Sequence, residues 1–198
     1  NGSGKSTTID LLMGMRRAKK GSMRMLGYDV PDQLFAAAAH TGYVPERPHL
    51  YPVSVRAFLD LHGRFYPKWD LAFALGLAEY FDLPLDRRIG RMSKGQTGQL
   101  MVLAALAQRP DLLVLDEPTD GLDPVVRSRV LDAILSFVAD YGCTVFISSH
   151  LVYELEQMCD WVGVIDSGQV LLELPMVQFR SGTKKLLVRG GMQQQFLD

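Results

Sequence analysis

LLVLDEPTDGLDP, residues 112–124, is the stretch on which the fold turns. Residues 112–115 are an unbroken apolar run, the pattern of a strand covered on both faces. The run ends in two adjacent carboxylates, Asp116 and Glu117, and then in Pro118, which cannot donate to a ladder. At the carboxyl end of a buried parallel strand, ligands bind in the crevice beyond the sheet. Asp116 is placed there to hold a metal, and Glu117 to polarise a water. An acidic turn after a core strand is the blander reading of the same residues, and the opening of the chain weighs against it.

The chain opens NGSGKST, the last part of the phosphate-binding pattern G-x-x-x-x-G-K-[ST]. Small residues let backbone N–H groups curl around phosphate oxygens. Lys5 is set to reach the β- and γ-phosphates, Ser6 to take Mg²⁺, and the helix starting near Gly4 points its positive end at the same charge. A flexible turn is the alternative for these residues taken alone. Together with LLVLDE they make the two halves of a P-loop nucleotide site. The pattern's first glycine and its feeding strand are not among these residues. The sequence therefore predicts an upstream strand central to the sheet, and poor folding and weak nucleotide binding for residues 1–198 alone.

A length of 198 residues suits one domain, or one domain with an inserted lobe. With 47% hydrophobic and 22% charged residues, the chain has the composition of a globular domain with a real core. A net charge of -1 supplies no overall field for binding nucleic acid or a membrane surface. The two cysteines, Cys143 and Cys159, have neither metal nor framework spacing and read as buried thiols of a reducing compartment. The most apolar run, residues 100–107, is far shorter than the roughly 20 residues that cross a bilayer.

Periodicity predicts a helix over 6–15 closed by Gly21, a strand over 22–28 and a turn at 27–31. A short helix over 32–39 and a strand over 40–45, leading to Glu46, follow. Residues 48–83 carry apolar positions at helical spacing around Pro67 and read as a helical insertion. Its aromatics (Phe58, Phe65, Tyr66, Trp69, Tyr80, Phe81) are most simply core, with a docking surface as the alternative. Next, RMSKGQ precedes a helix over 97–108; its serine and glycine at a helix N-terminus suit either a cap or a second anion site. Beyond Pro124 a helix over 125–141 ends at Gly142, and a buried strand over 143–148 delivers Ser149 and His150 to the edge that carries Asp116. His150 is a loop cap on the bland reading; beside a phosphate and Glu117 its imidazole would orient the water. Residues 161–165 and 169–172 form a hairpin, and 185–188 a possible tail strand.

Taken in order, NGSGKST, YVPE, MSKGQ, LLVLDEPTDGLDP and SSH resemble the nucleotide-binding subunit of ATP-binding cassette (ABC) transporters over nearly the whole chain. The resemblance implies an α/β P-loop NTPase core with a mainly parallel sheet. The core would span about 1–47 and 97–198, with an inserted helical lobe at about 48–96, in a single domain. It implies ATP and Mg²⁺ as cofactors. Asn1, Gly2, Ser3, Gly4, Lys5, Ser6 and Thr7 would be the Walker A remainder, and Asp116 the Walker B metal-side carboxylate. Glu117 would be the general base and His150 the switch histidine. Residues 119–123, ending in Asp123, would be the D-loop. Ser93, Lys94, Gly95 and Gln96 would be the signature, which covers the γ-phosphate held by a second ABC ATPase subunit across a head-to-tail dimer. Transmembrane permease subunits would be the other partners, at the cytoplasmic face of the cell membrane, with no nucleic acid.

The chain departs from the family pattern in three places, the first being that the aromatic residue which stacks on adenine in the family precedes the Walker loop and is not among these residues. MSKGQ stands where LSGGQ is commonest, which adds the cation of Lys94. Glu46 in YVPE stands where the family carries glutamine; a carboxylate can still reach Mg²⁺ but cannot donate as an amide does. YVPE and YPKWD look like those of bacterial drug, peptide or gliding-type exporters. A soluble ABC-type ATPase acting on ribosomes or DNA would share the motifs, but no tandem cassette, coiled-coil insertion or basic patch is present. A regulatory module with a dead site would lack some of Lys5, Asp116, Glu117 and His150, which are all here.

Overall fold

In chain order the elements are α1 (Lys5–Leu12), β1 (Met23–Met25), β2 (Tyr28–Val30), α2 (Leu34–Ala38), β3 (Thr41–Val44), α3 (Val55–Gly63) and α4 (Leu71–Tyr80). They continue with α5 (Lys94–Ala107), β4 (Leu112–Asp116), α6 (Pro124–Tyr141), β5 (Thr144–Ser148), α7 (Val152–Met158), β6 (Trp161–Asp166), β7 (Gln169–Pro175) and α8 (Met176–Gly182). This computed structural model describes residues 2–48 and 51–182. Asn1, expected in the phosphate-binding loop, and the tail strand expected at 185–188 lie outside the described residues.

The centre is a three-stranded parallel sheet in the order β3-β4-β5, with Val44 opposite Leu115 and Asp116 opposite Ser148. Every residue of β4 is buried. Successive side chains of a strand point to opposite faces, and β4 uses both. Leu113 and Leu115 enter the cluster built by α5, α6 and the lobe helices, whereas Leu112 and Val114 join Ile9, Met25, Val30 and Ala37 on the other face. That double burial is why the run in the sequence is continuous rather than alternating. Helix α5 is buried on nearly all sides, from Leu100 through Ala107 with one half-buried residue between them, so its composition is apolar all round.

Several local boundaries differ from the sequence expectation. Leu26 and Gly27 both have positive φ, 53° and 84°, as a tight hairpin turn demands. One expected strand over 22–28 is therefore the two antiparallel strands β1 and β2, and the turn lies earlier than 27–31. Helix α1 stops at Leu12 rather than residue 15. Helix α5 begins at Lys94 rather than 97, because Ser93 and Gln96 close a reciprocal capping box. The expected helices at 48–83 are α3 and α4, capped by Ser54 and Asp70. Of their aromatics, Phe58 and Phe81 are core, but Phe65 is 72% exposed and Tyr80 44% exposed. Cys143 is buried as expected, with burial pushing its thiol up to about 11, whereas Cys159 is only half-buried. No helix among the described residues is long and apolar enough to cross a membrane.

Strand β5 is a larger correction. It is not buried: Thr144 and Phe146 are exposed, Phe146 at 44%. One edge of β5 pairs with β4; among the described residues the other edge has no strand beside it. That edge faces a groove of about 800 Å³, whose walls include Ile9, Val138, Phe146, Ile147, Val164 and Ile165. The β6–β7 hairpin forms the far wall, with Ser167 and Gly168 at positive φ in its turn.

Candidate functional site

The parallel register carries the chemistry to one edge. Asp116 closes β4 and Ser148 closes β5 directly opposite it. Glu46 lies just past the end of β3, two residues beyond Val44. Helix α1 begins at Lys5, after Gly2 and Gly4 with φ of 98° and 113°, conformations that glycine alone adopts without penalty. The backbone of this loop rests on the hairpin turn, where the Gly168 N–H donates to Ser3 O at 2.7 Å.

Five side chains predicted from the sequence meet. Ser6 Oγ donates to Asp116 Oδ1 at 3.3 Å. Lys5 Nζ stands 3.7 Å from Glu117 Oε1, and His150 Nδ1 lies 2.7 Å from Glu117 Oε2. The His150 backbone N–H donates to the same Oε2 at 3.2 Å. Glu117 itself has φ 48°, a left-handed conformation that is strained for a non-glycine residue. The Glu117 N–H donates at 3.1 Å to both the carbonyl and the hydroxyl of Ser148, which holds this backbone in place. With Glu117 ionised, His150 Nδ1 is the donor of that pair, and the ring also donates from Nε2 only as imidazolium.

Asp116 is 4% exposed and accepts a second hydrogen bond, from Ser148 Oγ at 2.6 Å. Burial first, and then the charges of Asp116 and Asp10, push the nearby Tyr43 phenol up to about 12. One carboxylate and one hydroxyl converging beside the glycine loop that precedes α1 suit Mg²⁺, which keeps most of its waters and takes few protein ligands. Among the described residues no three histidine, cysteine or acidic side chains form a metal-holding group. The Glu46 carboxylate pairs with Arg47 Nε at 3.4 Å.

The segment Ser93, Lys94, Gly95 and Gln96 stands apart from this cluster. Ser93 Oγ accepts from Gln96 N–H at 3.1 Å, and Gln96 Oε1 accepts from Ser93 N–H at 3.2 Å. No hydrogen bond or ion pair among the described residues joins this segment to Gly2, Ser3, Gly4, Lys5, Ser6 or Thr7. Lys94 Nζ reaches Asp120 Oδ2 at 3.0 Å, and that hydrogen bond holds the Asp120 carboxyl below the usual range. Asp123 Oδ1 accepts from Val125 N–H and Val126 N–H, and so is the N-cap of α6.

Sequence reasoning missed Ser148 and Glu154. Ser148 ends an apolar strand, where a hydroxyl looks like a boundary marker. Glu154 sits in a short amphipathic helix and looks solvated, yet it is 0% exposed. The one available signal was its place four residues after His150.

Comparison with known proteins adds a family model described as ABC transporter, which matches residues 1–120. The Nod factor export ATP-binding protein I of Burkholderia lata is 36% identical over 179 residues, covering 87% of this chain and 59% of that protein. The ABC transporter ATP-binding protein YtrB of Bacillus subtilis is 30% identical, covering 86% of this chain and 58% of that protein. This chain thus spans under two thirds of the length of these relatives. Among solved structures, an ATP-binding subunit of an ABC transporter superposes with a TM-score of 0.82 at 27% identity, covering 92% of this chain and 78% of that one. An ATP-binding cassette dimer in a post-hydrolysis state with ADP and Pi shares the fold, with a TM-score of 0.77 at 19% identity, covering 88% and 81%.

Proposed function

The chain belongs to the ABC transporter family, and from that premise we propose that it binds and hydrolyses ATP to drive transport through membrane partners. The observation that carries this reading is the meeting of Lys5, Ser6, Asp116, Glu117 and His150 at one edge of the parallel sheet.

Phosphoryl transfer needs positioning and electrostatic stabilisation more than covalent chemistry. The N–H groups of Gly2, Ser3, Gly4, Lys5, Ser6 and Thr7 hold the phosphates, and the Lys5 ammonium neutralises their charge. Ser6, Asp116 and Glu46 are the residues that would hold Mg²⁺, which would supply charge neutralisation at the phosphates. Glu117 orients the attacking water and accepts its proton. His150 fixes the Glu117 carboxylate through Nδ1 and senses the γ-phosphate.

Two such chains, or this chain and a related one, meet head to tail. Ser93, Lys94, Gly95 and Gln96 of each then cover the nucleotide of the other, with Asp123 at the junction. Transmembrane permease subunits receive the motion, at the cytoplasmic face of the membrane. The export direction rests on the name of the 36% identical Nod factor export protein and on the YVPE and YPKWD segments. The same reading takes the groove beside β5 as the seat of a strand upstream in the same polypeptide. Lys5, Thr8 and Ile9 line that groove, so a strand running along it would lead straight into the phosphate loop.

The test is Glu117→Gln in the polypeptide encoded by the complete reading frame. Hydrolysis should fall by about 100-fold or more while ATP binding remains, and an ATP-dependent dimer should persist. Brisk turnover in that variant would remove Glu117 from its role. Co-purification from mild-detergent extracts should recover a polytopic membrane protein in stoichiometric amount; recovery from the soluble fraction with ribosomal or DNA-processing proteins would overturn the transport reading.

A further inference from the structure

The most deeply buried charged side chain among the described residues is Glu154, at 0% exposure, and the chemistry above does not use it. Its Oε2 accepts from Thr119 Oγ1 at 2.7 Å and from Ser149 Oγ at 3.4 Å. Its Oε1 stands 3.3 Å from Arg127 Nε, which does not aim its N–H at it, and accepts from Tyr153 Oη at 3.5 Å. Arg127 also donates to Tyr153 Oη, and from Nη2 to Leu122 O at 3.4 Å. The buried carboxylate and its guanidinium therefore grip the 119–123 segment at Thr119 and Leu122. On the other side Glu154 grips Ser149, the residue before His150.

A buried ion pair is weak support for stability, since apolar residues of similar volume commonly serve as well. Side-chain networks of this kind instead fix one arrangement of the segments they join. The connections here close a ring. Glu117 meets His150; Ser149, beside His150, meets Glu154; Glu154 meets Thr119, two residues along the chain from Glu117.

We propose that Glu154 is a positioning residue that locks the Ser149-His150 segment to residues 119–123, so that a displacement of His150 at the phosphate moves that segment and the N-terminus of α6 with it. This rests on the ATPase reading above. In a head-to-tail dimer the 119–123 segment lies at the junction, and the occupancy of one site thereby reaches the other.

The experiment compares Glu154→Gln, Thr119→Val, Thr119→Ser and the Glu154→Gln/Thr119→Val double variant. All are made in the complete polypeptide assembled with its membrane partners. ATP hydrolysis by the unsubstituted assembly tests the ATPase reading; only the variants test the coupling. Glu154→Gln and Thr119→Val should each lower kcat about fivefold, with KM for ATP within about twofold. The Hill coefficient should fall towards unity, the double variant should be no worse than the poorer single one, and Thr119→Ser should restore the loss. An unchanged kcat and Hill coefficient per folded site would overturn the proposal, as would losses that multiply in the double variant. Should Glu154→Gln fail to fold, Thr119→Val and its rescue by serine decide alone.

Discussion

At the scale of single residues, the site depends on a hydroxyl as much as on its charges. Ser148 donates to Asp116 at 2.6 Å and accepts from the Glu117 N–H at 3.1 Å. It thus fixes both carboxylate-bearing residues, one of them in a strained conformation. Hydrogen bonds to charged groups contribute about 1.5–3 kcal/mol. Ser148→Ala should accordingly lower unfolding stability by about 2 kcal/mol and weaken the affinity for Mg²⁺-ATP. Urea denaturation with and without nucleotide measures both, and an unchanged midpoint would mean that Asp116 is held by other groups. Lys94, by contrast, pairs with Asp120 across an exposed gap, with side chains 62% and 43% exposed. A pair so exposed contributes little to stability.

At the scale of elements, the N-terminus of α4 is tied to the end of α5 and to α6 by Asp70 and Arg109. Asp70 caps that helix, accepting from Phe73 N–H at 2.8 Å, and pairs with Arg109 Nη2 at 2.8 Å. Arg109 follows α5, and its guanidinium lies 4.1 Å from the Phe73 ring and 3.9 Å from the Tyr141 ring of α6. The cap hydrogen bond and then the Arg109 hydrogen bond hold the Asp70 carboxyl below the usual aspartate value. A group whose folded pKa is depressed stabilises fully above its unfolded value, and that contribution disappears as pH falls through the folded value. Asp70→Ala should cost about 1 kcal/mol for the cap alone. Asp70→Asn keeps a capping oxygen and loses the charge, so wild type should be the more stable near neutrality. That advantage should shrink below pH of about 4. Thermal melts of the two proteins across that range provide the check, and a constant difference would rule out the charge as its source.

At the scale of the whole molecule, the groove beside β5 is the dominant feature. Its walls expose Phe146 at 44% and Trp161 at 56%, apolar surface that a well-filled core would cover. A sheet edge with no strand beside it among the described residues, next to such a groove, is a template for another strand. Extending the chain upstream to include the predicted strand should raise its unfolding midpoint and its ATP affinity over those of residues 1–198. A sample of residues 1–198 that folds cooperatively and binds ATP tightly would refute the strand proposal.

The sequence by itself determined the family motifs and the α/β architecture. NGSGKST, the apolar run into Asp116 and Glu117, and the strand into His150 are each a few adjacent residues. Backbone geometry and side-chain period act over such short spans, so local order alone places these groups at strand ends and helix starts. Tertiary structure decided what depends on neighbours distant in the chain. The buried Glu154 finds a hydrogen-bond donor in Thr119, 35 residues earlier. Phe65 is exposed, though its spacing matches that of the buried Phe58, because α3 ends at Gly63 and the helical period does not reach it. The same holds for β5, whose apolar residues are half-exposed because a strand is buried only by what packs beside it. Burial is a property of the assembled layers, and no window of sequence contains both sides of a contact.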